Sequence, residues 1–467
     1  MTEKKKRSWN LPHVYIMFMI VMLVVVLLSY VVPSGEFERI ADPNNPAIMQ
    51  VNPDAFHYVN DAKPISVLDF FTAMHKGVTG AGDIIVMLLI ACGALYLLEE
   101  SGTIGAGIQA LLRVAEGKET FVILALMAVF ALLGAIGFGE GGIPFVPLCM
   151  TVVMGMGYDR VTGVATAGLG LCVGFASGVI NMYTTGVSQQ IMGIPLFSGV
   201  GFRSIALLVF IVVTAIYLLA YARKIKKDPT KSLVAEEFMA QEKAAATPDE
   251  EIPFTGRKKI ALLSLVIVFV LQAYGAINWG WGLAQISGLY LIFAVYLTII
   301  LGMKPNDAAT KFGLGAARIL PAALAIGFAG GVVTLMNQAK IIDTAVHSLG
   351  AFLQGKPVTL TFLLIYLVVI AFNFFVVSGS GKALILMPIL SPLATILGIN
   401  AQIMVLLYQY GDGFTNYFWP TAGALMAILA MCGLPYDKWV KFTWKFMVLI
   451  QIVAFILILV ANAIGLQ

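Results

Sequence analysis

Residues 376–382 read Val376-Val377-Ser378-Gly379-Ser380-Gly381-Lys382. An apolar run that begins at Leu360 stops there on a glycine-rich polar tip, and a second apolar run follows. The same pattern stands earlier in the chain, where the run Phe121 to Gly137 stops on Gly139-Glu140-Gly141-Gly142. Each tip is preceded by an amphipathic arm ending in Gly-Lys, at Gly117-Lys118 and Gly355-Lys356, and followed by a long apolar stretch interrupted at an asparagine, Asn181 and Asn416. Gly93 matches Gly330, Pro147 matches Pro388, Gly157 matches Gly398 and Pro195 matches Pro435, all in one order and at spacings between 235 and 241. The chain therefore reads as two related halves, 1–224 and 258–467, joined by a polar connector at 225–257 with room for a short helix.

The solvent of these halves is lipid. Of the 467 residues, 60% are hydrophobic and 12% charged, at a mean hydropathy of +0.91, whereas soluble domains are about half apolar. Runs such as Val14 to Val32, Ile205 to Ala222 and Phe446 to Ala463 are long enough for a hydrocarbon layer of about 30 Å. The first run follows Lys4, Lys5, Lys6 and Arg7; it is longer than a secretory signal core and has no small-residue cleavage site, so it reads as a retained span. Cys92, Cys149, Cys172 and Cys432 sit in apolar stretches without paired spacing, which suggests neither disulfides nor a metal site. The net charge of +4 comes with lysines clustered at span ends; these report topology, and no nucleic-acid partner is expected.

Counting every apolar run as a crossing gives eleven, and with the basic N-terminus inside this puts Arg223, Lys224, Lys226, Lys227, Arg257, Lys258 and Lys259 outside, against the bias of short loops. The conflict disappears if residues 120–157 and 358–398 are re-entrant hairpins. Nine crossings remain, including broken helices at 160–192 and 400–432, a helix at 199–222 and a last helix at 438–464. The basic loops then face the cytoplasm, the hairpins enter from opposite faces, and the Pro-, Asn- and Asp-rich segment 34–64 reads as outer loop. The expected fold class is an all-α polytopic membrane protein with about nine transmembrane helices and two re-entrant hairpins in an inverted repeat, an architecture that supplies two nearly equivalent states, open to either side.

Backbone cannot stay unpaired in hydrocarbon, so glycine-rich breaks at membrane depth belong where they line a watery cavity or are buried in protein. Four are present: the tip around Gly139, Glu140 and Gly141; Ser177-Gly178-Val179-Ile180-Asn181; the tip Ser378, Gly379, Ser380, Gly381 and Lys382; and Gly411-Asp412-Gly413-Phe414-Thr415-Asn416. Bare carbonyls there suit Na⁺ and bare N–H groups suit carboxylates. With Thr184 and Thr421 just beyond the breaks, these residues form the candidate substrate site, and Ser177, Asn181, Ser380, Asp412 and Asn416 are the candidate Na⁺ ligands. A charge near mid-membrane costs at least about 2.5 kcal/mol and usually has a partner or a task. Lys382 fits a contact to a substrate carboxylate, an ion pair or a snorkelling side chain; Glu140 fits an amine ligand or a proton carrier; and Asp412 fits a cation ligand, a proton carrier or the partner of Lys382. Asp159, Arg160, Asp437 and Lys438 read as solvated charges at helix ends.

Other classes lack their signatures. Gly381-Lys382 is followed by Ala383, and Val376 stands where a nucleotide-binding loop needs its first glycine, so ATP drive by this chain is not expected. None of His13, His57, His75 and His347 begins a metalloprotease motif, and no histidine follows Ser380 to activate it. An intramembrane enzyme is disfavoured, no cofactor is expected beyond a coupling ion, and a channel-like anion pore is the alternative.

The run Leu97-Leu98-Glu99-Glu100-Ser101-Gly102 with its amphipathic arm, the two tips and the Gly411 to Asn416 break resemble carriers of the ion transporter superfamily. The resemblance is to the family of anaerobic C4-dicarboxylate carriers and arginine/ornithine antiporter-like permeases, and covers nearly the whole chain. Nine spans and two hairpins are also similar to aminobenzoyl-glutamate transporters. The resemblance implies a homodimer in the cytoplasmic (inner) membrane, a fixed scaffold, a transport unit that slides like an elevator, a small carboxylate or amino-acid substrate, and coupling to Na⁺ or H⁺ or exchange. Related dicarboxylate carriers hold sodium with a Ser-Asn-Thr motif at the hairpin tips. This chain has Gly-Glu-Gly-Gly and Ser-Gly-Ser-Gly instead, which leaves proton coupling and exchange open.

Overall fold

The computed structural model describes residues 14–41, 49–59, 65–107, 110, 117–137, 140–245, 253–279, 281–353, 355–377 and 379–466. Its helices sort by contact into two bodies. In one, α12 (Pro305–Ala339) packs against α1 (Val14–Ser29), α2 (Val67–Gly80) and α3 (Gly82–Glu100), with α10 (Gly256–Asn278) and α11 (Leu283–Ile300) beside them. In the other, α6 (Arg160–Ser177) packs against α4 (Glu119–Ala135), α5 (Val146–Gly155), α8 (Val200–Lys227) and α16 (Ala401–Gly413). Around α16 stand α14 (Val358–Phe375), α15 (Gly379–Leu397) and α18 (Tyr436–Ala463), while the short α7 (Val187–Ile191) lies against α15. Connecting helix α13 (Ile341–Leu353) contacts α15, and α17 (Gly423–Met431) runs along α12, so α17 joins the two bodies.

Seven described helices are long and apolar enough to cross a membrane: α3, α6, α8, α11, α12, α14 and α18. Six coincide with expected crossings; the seventh, α14, is the first arm of the expected second hairpin. Helix α18 shows why lipid is the solvent: it buries Phe446, Ile450, Ala454 and Ile458 while Val448, Ile452 and Ile456 are turned outward. A helix apolar all round needs an apolar exterior.

The tightest packing joins α4 to α6. A Cβ on Gly174 would lie 2.0 Å from the Ala131 carbonyl oxygen, and one on Gly134 would lie 2.4 Å from that of Leu171. Small residues let the two backbones touch, the usual device of helix pairs in lipid. The outer ends of α4 and α5 return to one place: Tyr158, just past α5, stands near Thr120 at the start of α4 and near Arg223. Lys226 donates to the Met156 carbonyl at 3.0 Å. Helix α15, the second arm of the hairpin expected at 358–398, meets different neighbours, among them the two-stranded sheet that follows α1.

That sheet corrects the reading of 34–64 as loop. Strands β1 (Gly35–Ala41) and β2 (Met49–Tyr58) pair antiparallel, with a register irregularity between Phe37 and Arg39. Arg39 faces Val51 and Phe37 faces Phe56, so Asn52-Pro53-Asp54, which read as turn chemistry, falls in the irregular stretch where a strand tolerates proline. Phe37 is buried, its ring 5.0 Å from that of Phe56.

Asp159 is a second correction, because it is fully buried where a solvated charge was expected. It caps α6, accepting from the Thr162 N–H at 2.8 Å and hydroxyl at 2.6 Å, while its other oxygen accepts from Tyr221 and Ser232, each at 2.6 Å. Ser232 belongs to the connector, which forms helix α9 (Ala235–Ala245); Arg160 pairs with Glu237 of that helix and donates to the Gly433 carbonyl at 2.7 Å.

Candidate functional site

The two breaks meet at the centre of the second body. Helix α6 ends when Gly178 takes the left-handed conformation at φ 63°. The chain resumes as a π turn over Met182–Gly186, held by the Asn181 side-chain oxygen, which accepts from the Thr184 N–H at 3.3 Å. Helix α16 ends at Gly413, and a single 3₁₀ turn, Thr415–Tyr417, separates it from α17. Gln409 sews the breaks together: its Nε2 donates to the Phe175 carbonyl at 2.7 Å and its Oε1 accepts from the Thr185 hydroxyl at 3.1 Å.

The second tip closes on this junction. A Cβ on Gly379 would lie 2.5 Å from Thr184 Cγ2, beyond the first break, and 3.5 Å from Asp412 Oδ2, on the second. Tyr408 of α16 donates its hydroxyl to the Gly379 carbonyl. Lys382, in the first turn of α15, forms an ion pair with Asp412 Oδ1 and also donates to Asn373 Oδ1 of α14. All three side chains are fully buried. Asn373 Nδ2 faces the other way, toward the Asp412 carbonyl at 3.1 Å, the Thr415 hydroxyl at 2.7 Å and Asn416 Oδ1 at 2.8 Å. Thr415 in turn donates to the carbonyls of Gly411 and Asp412, at 2.9 and 3.2 Å.

Helix dipoles account for the pairing. An aspartate in the last turn of α16 faces the negative end of its own helix, and a lysine in the first turn of α15 faces the positive end. Each is disfavoured alone; together the ammonium lies toward the carbonyl end of α16 and the carboxylate toward the amide end of α15. The satisfaction is incomplete, since Asp412 Oδ2, Thr184 Oγ1 and Thr421 Oγ1 are buried with no hydrogen-bond partner. Buried polar atoms in this state mark a place for a ligand, an ion or water.

Of the residues predicted from sequence, Lys382, Asp412, Thr415 and Asn416 form one bonded cluster, Gly379 and Thr184 abut it, and Asn181 orders the turn that carries Thr184. Ser177 donates back to the Gly174 carbonyl at 2.6 Å. Gly139 and Ser378 lie outside the described residues, as do the side chains of Glu140, Gly141 and Ser380. At the end of α4 the Ala135 carbonyl accepts from the Ile180 N–H at 3.0 Å, which ties that helix end to the first break, and the 3₁₀ turn Glu140–Phe145 packs against α3 and α17. Sequence reasoning missed Asn373, Gln409 and Tyr408. The signal for Asn373 and Gln409 was weak, a neutral amide inside an otherwise apolar run, which costs less in lipid than a charge, and Tyr408 gave none.

A family model described as C4-dicarboxylate anaerobic carrier matches residues 11–463. The chain is 31% identical to YfcC of Escherichia coli (strain K12), provisionally named a basic amino acid antiporter, over 99% of this chain and 98% of that one. It is 27% identical to an uncharacterised protein of Haemophilus influenzae (strain ATCC 51907 / DSM 11121 / KW20 / Rd), over 98% of each. Among solved structures, the YdaH transporter of Alcanivorax borkumensis gives a TM-score of 0.44 at 17% identity, over 97% of this chain and 99% of that one, a distance at which the likeness carries no argument. Matched over nearly its whole length, this multi-pass membrane protein belongs to the C4-dicarboxylate anaerobic carrier family of transporters.

Proposed function

We propose that the chain is a secondary active transporter of the cytoplasmic membrane that moves a small carboxylate-bearing metabolite, with amino acids ahead of mono- or dicarboxylates. One observation carries this reading: the second hairpin tip lands on both helix breaks, and the buried junction keeps an unpartnered carboxylate oxygen, Asp412 Oδ2, beside the N-terminus of α15. The amide end of α15 receives a substrate carboxylate. Asp412 Oδ2 receives an ammonium and repels a second carboxylate, which places an amino acid before a dicarboxylate. The name of YfcC, a basic amino acid antiporter, agrees with that order.

In this proposal the body around α6 and α16 is the transport unit, the body around α12 is the scaffold of a homodimer, and the hairpins at 120–157 and 358–398 enter from opposite faces between nine crossings. The basic residues support the orientation: Arg160, Arg223 and Lys226 gather where the first hairpin begins and ends, which makes that face and the N-terminus cytoplasmic. Drive is by Na⁺, by H⁺ or by exchange.

The test is a thermal-stability screen of the purified protein across amino acids and organic acids, in Na⁺ and in K⁺, followed by exchange of the hits in proteoliposomes. Amino acids should stabilise the wild type and fail to stabilise Asp412→Asn. Stabilisation by dicarboxylates alone, retained in Asp412→Asn, would reverse the substrate order.

A further inference from the structure

Lys382 is joined to the junction as an ion would be. Its ammonium, a compact point charge on a flexible stem, is held by the oxygens of Asp412 and Asn373 toward the carbonyl end of a broken helix, 6.0 Å from the centre of the Tyr408 ring. Unwound carbonyls and the C-terminal ends of half-helices coordinate Na⁺ in carriers built from broken helices, and carboxylate and amide oxygens are hard donors of the kind such a cation takes. Here the ammonium arrives on the hairpin itself.

The other half of the chain shows that the pair is a unit. At the offset of 235 that matches Asn181 to Asn416, Asp412 falls on Ser177; at the offset of 241 that matches Pro147 to Pro388, Lys382 falls on Gly141. Both members are missing from the first half together, while the asparagine and the break remain. A structural ion pair grown onto a plain repeat would satisfy its carboxylate, yet Asp412 keeps one buried oxygen without a partner, as does Thr184, which packs on the same Gly379.

Resting on the reading of this junction as the substrate site, we infer that the Lys382 ammonium is a built-in cation: it occupies at Asp412 the place a coupling Na⁺ would otherwise take, and this carrier therefore runs without Na⁺. The resident charge leaves Asp412 Oδ1 with its partner throughout and Oδ2 for the substrate. Removing the ammonium leaves a carboxylate, the Asn373 oxygen and nearby neutral oxygens around an empty cation-sized place, which Na⁺ would fill.

The test compares unfolding midpoints of the purified full chain in NaCl, KCl and N-methylglucamine chloride at equal ionic strength. No substrate is needed, so failure to find a transported solute would sink the proposed function and leave this result standing. Wild type should melt at one temperature in all three. Lys382→Met should melt lower in K⁺ and N-methylglucamine and regain several degrees, saturably, in Na⁺, with free ammonium, the group the substitution removes, rescuing it as well. Lys382→Met/Asp412→Asn should be indifferent to the cation. Stabilisation of the wild type by Na⁺ over K⁺ overturns the inference whatever the variants do. So does a Lys382→Met that folds and ignores Na⁺, or one that is recovered in no cation while the double variant is recovered in all.

Discussion

Asn373 is one polar side chain in an apolar helix, and it connects three elements: its oxygen accepts from Lys382 of the hairpin, and its nitrogen reaches the Asp412 carbonyl and the Thr415 and Asn416 side chains beyond it. Asn373→Ala leaves several buried groups short of a partner, each costing about 1–3 kcal/mol. The variant should melt several degrees lower and lose transport. Asp412→Asn should cost more, about 3–5 kcal/mol, because it strips a buried ammonium of its counter-charge. Adding Lys382→Met to Asp412→Asn should return most of the loss, since a buried pair removed whole is often nearly neutral; a double variant no more stable than Asp412→Asn would mean that Lys382 does not need Asp412. Lys382 and Asp412 were legible in the sequence because a charge in an apolar run is conspicuous. Asn373 and Gln409 were not, since a single neutral amide hardly changes local hydropathy. Asp159 was misread for another reason: the groups that bury and satisfy it, Tyr221 and Ser232, lie 62 and 73 residues away, and no local pattern announces them.

Among the elements, the breaks and tips were readable because they need glycine and asparagine where lipid-facing helix would have leucine, while β1 and β2 were hidden by proline and asparagine that serve an irregular register rather than a loop. Two glycines separate packing from function. Gly174 presses α6 against backbone, with a Cβ 2.0 Å from the Ala131 oxygen, and backbone cannot step aside. Gly174→Ala should therefore force α4 off α6 at the upper end of the overpacking range of about 1–3 kcal/mol or beyond it, seen as low recovery of folded protein. Gly379 presses on a side-chain methyl, Thr184 Cγ2, at 2.5 Å. Gly379→Ala should fold and transport poorly, and Thr184→Ser, which removes that methyl and keeps the hydroxyl, should restore it. The two substitutions must then couple in a double-mutant cycle; additive losses would place the hairpin tip away from Thr184 in the working protein.

At the scale of the molecule, the sequence carries a common spacing of glycines and prolines that suggests an inverted repeat, and the charge test limits which apolar runs are expected to cross. Neither states which helices move together, because that depends on packing: α12 gathers α1, α2 and α3, α6 gathers both hairpin arms of the first half, and α17 lies between. Sliding of one body past the other must break the contact of α17 with α12, where a Cβ on Gly423 would lie 2.8 Å from the Ile326 Cα, so that the short α17 must give way slightly to admit it, and 3.3 Å from the Ala329 Cβ. That separation is close to the range of about 3.5–4.5 Å that a disulfide requires. In a background with Cys92, Cys149, Cys172 and Cys432 replaced, Ala329→Cys with Gly423→Cys should form a bond on oxidation and stop exchange in proteoliposomes, with reduction restoring it and neither single variant responding. An anion pore with two fixed bodies would conduct as well cross-linked as free, so undiminished flux through the fully oxidised pair would refute the sliding mechanism and favour the pore.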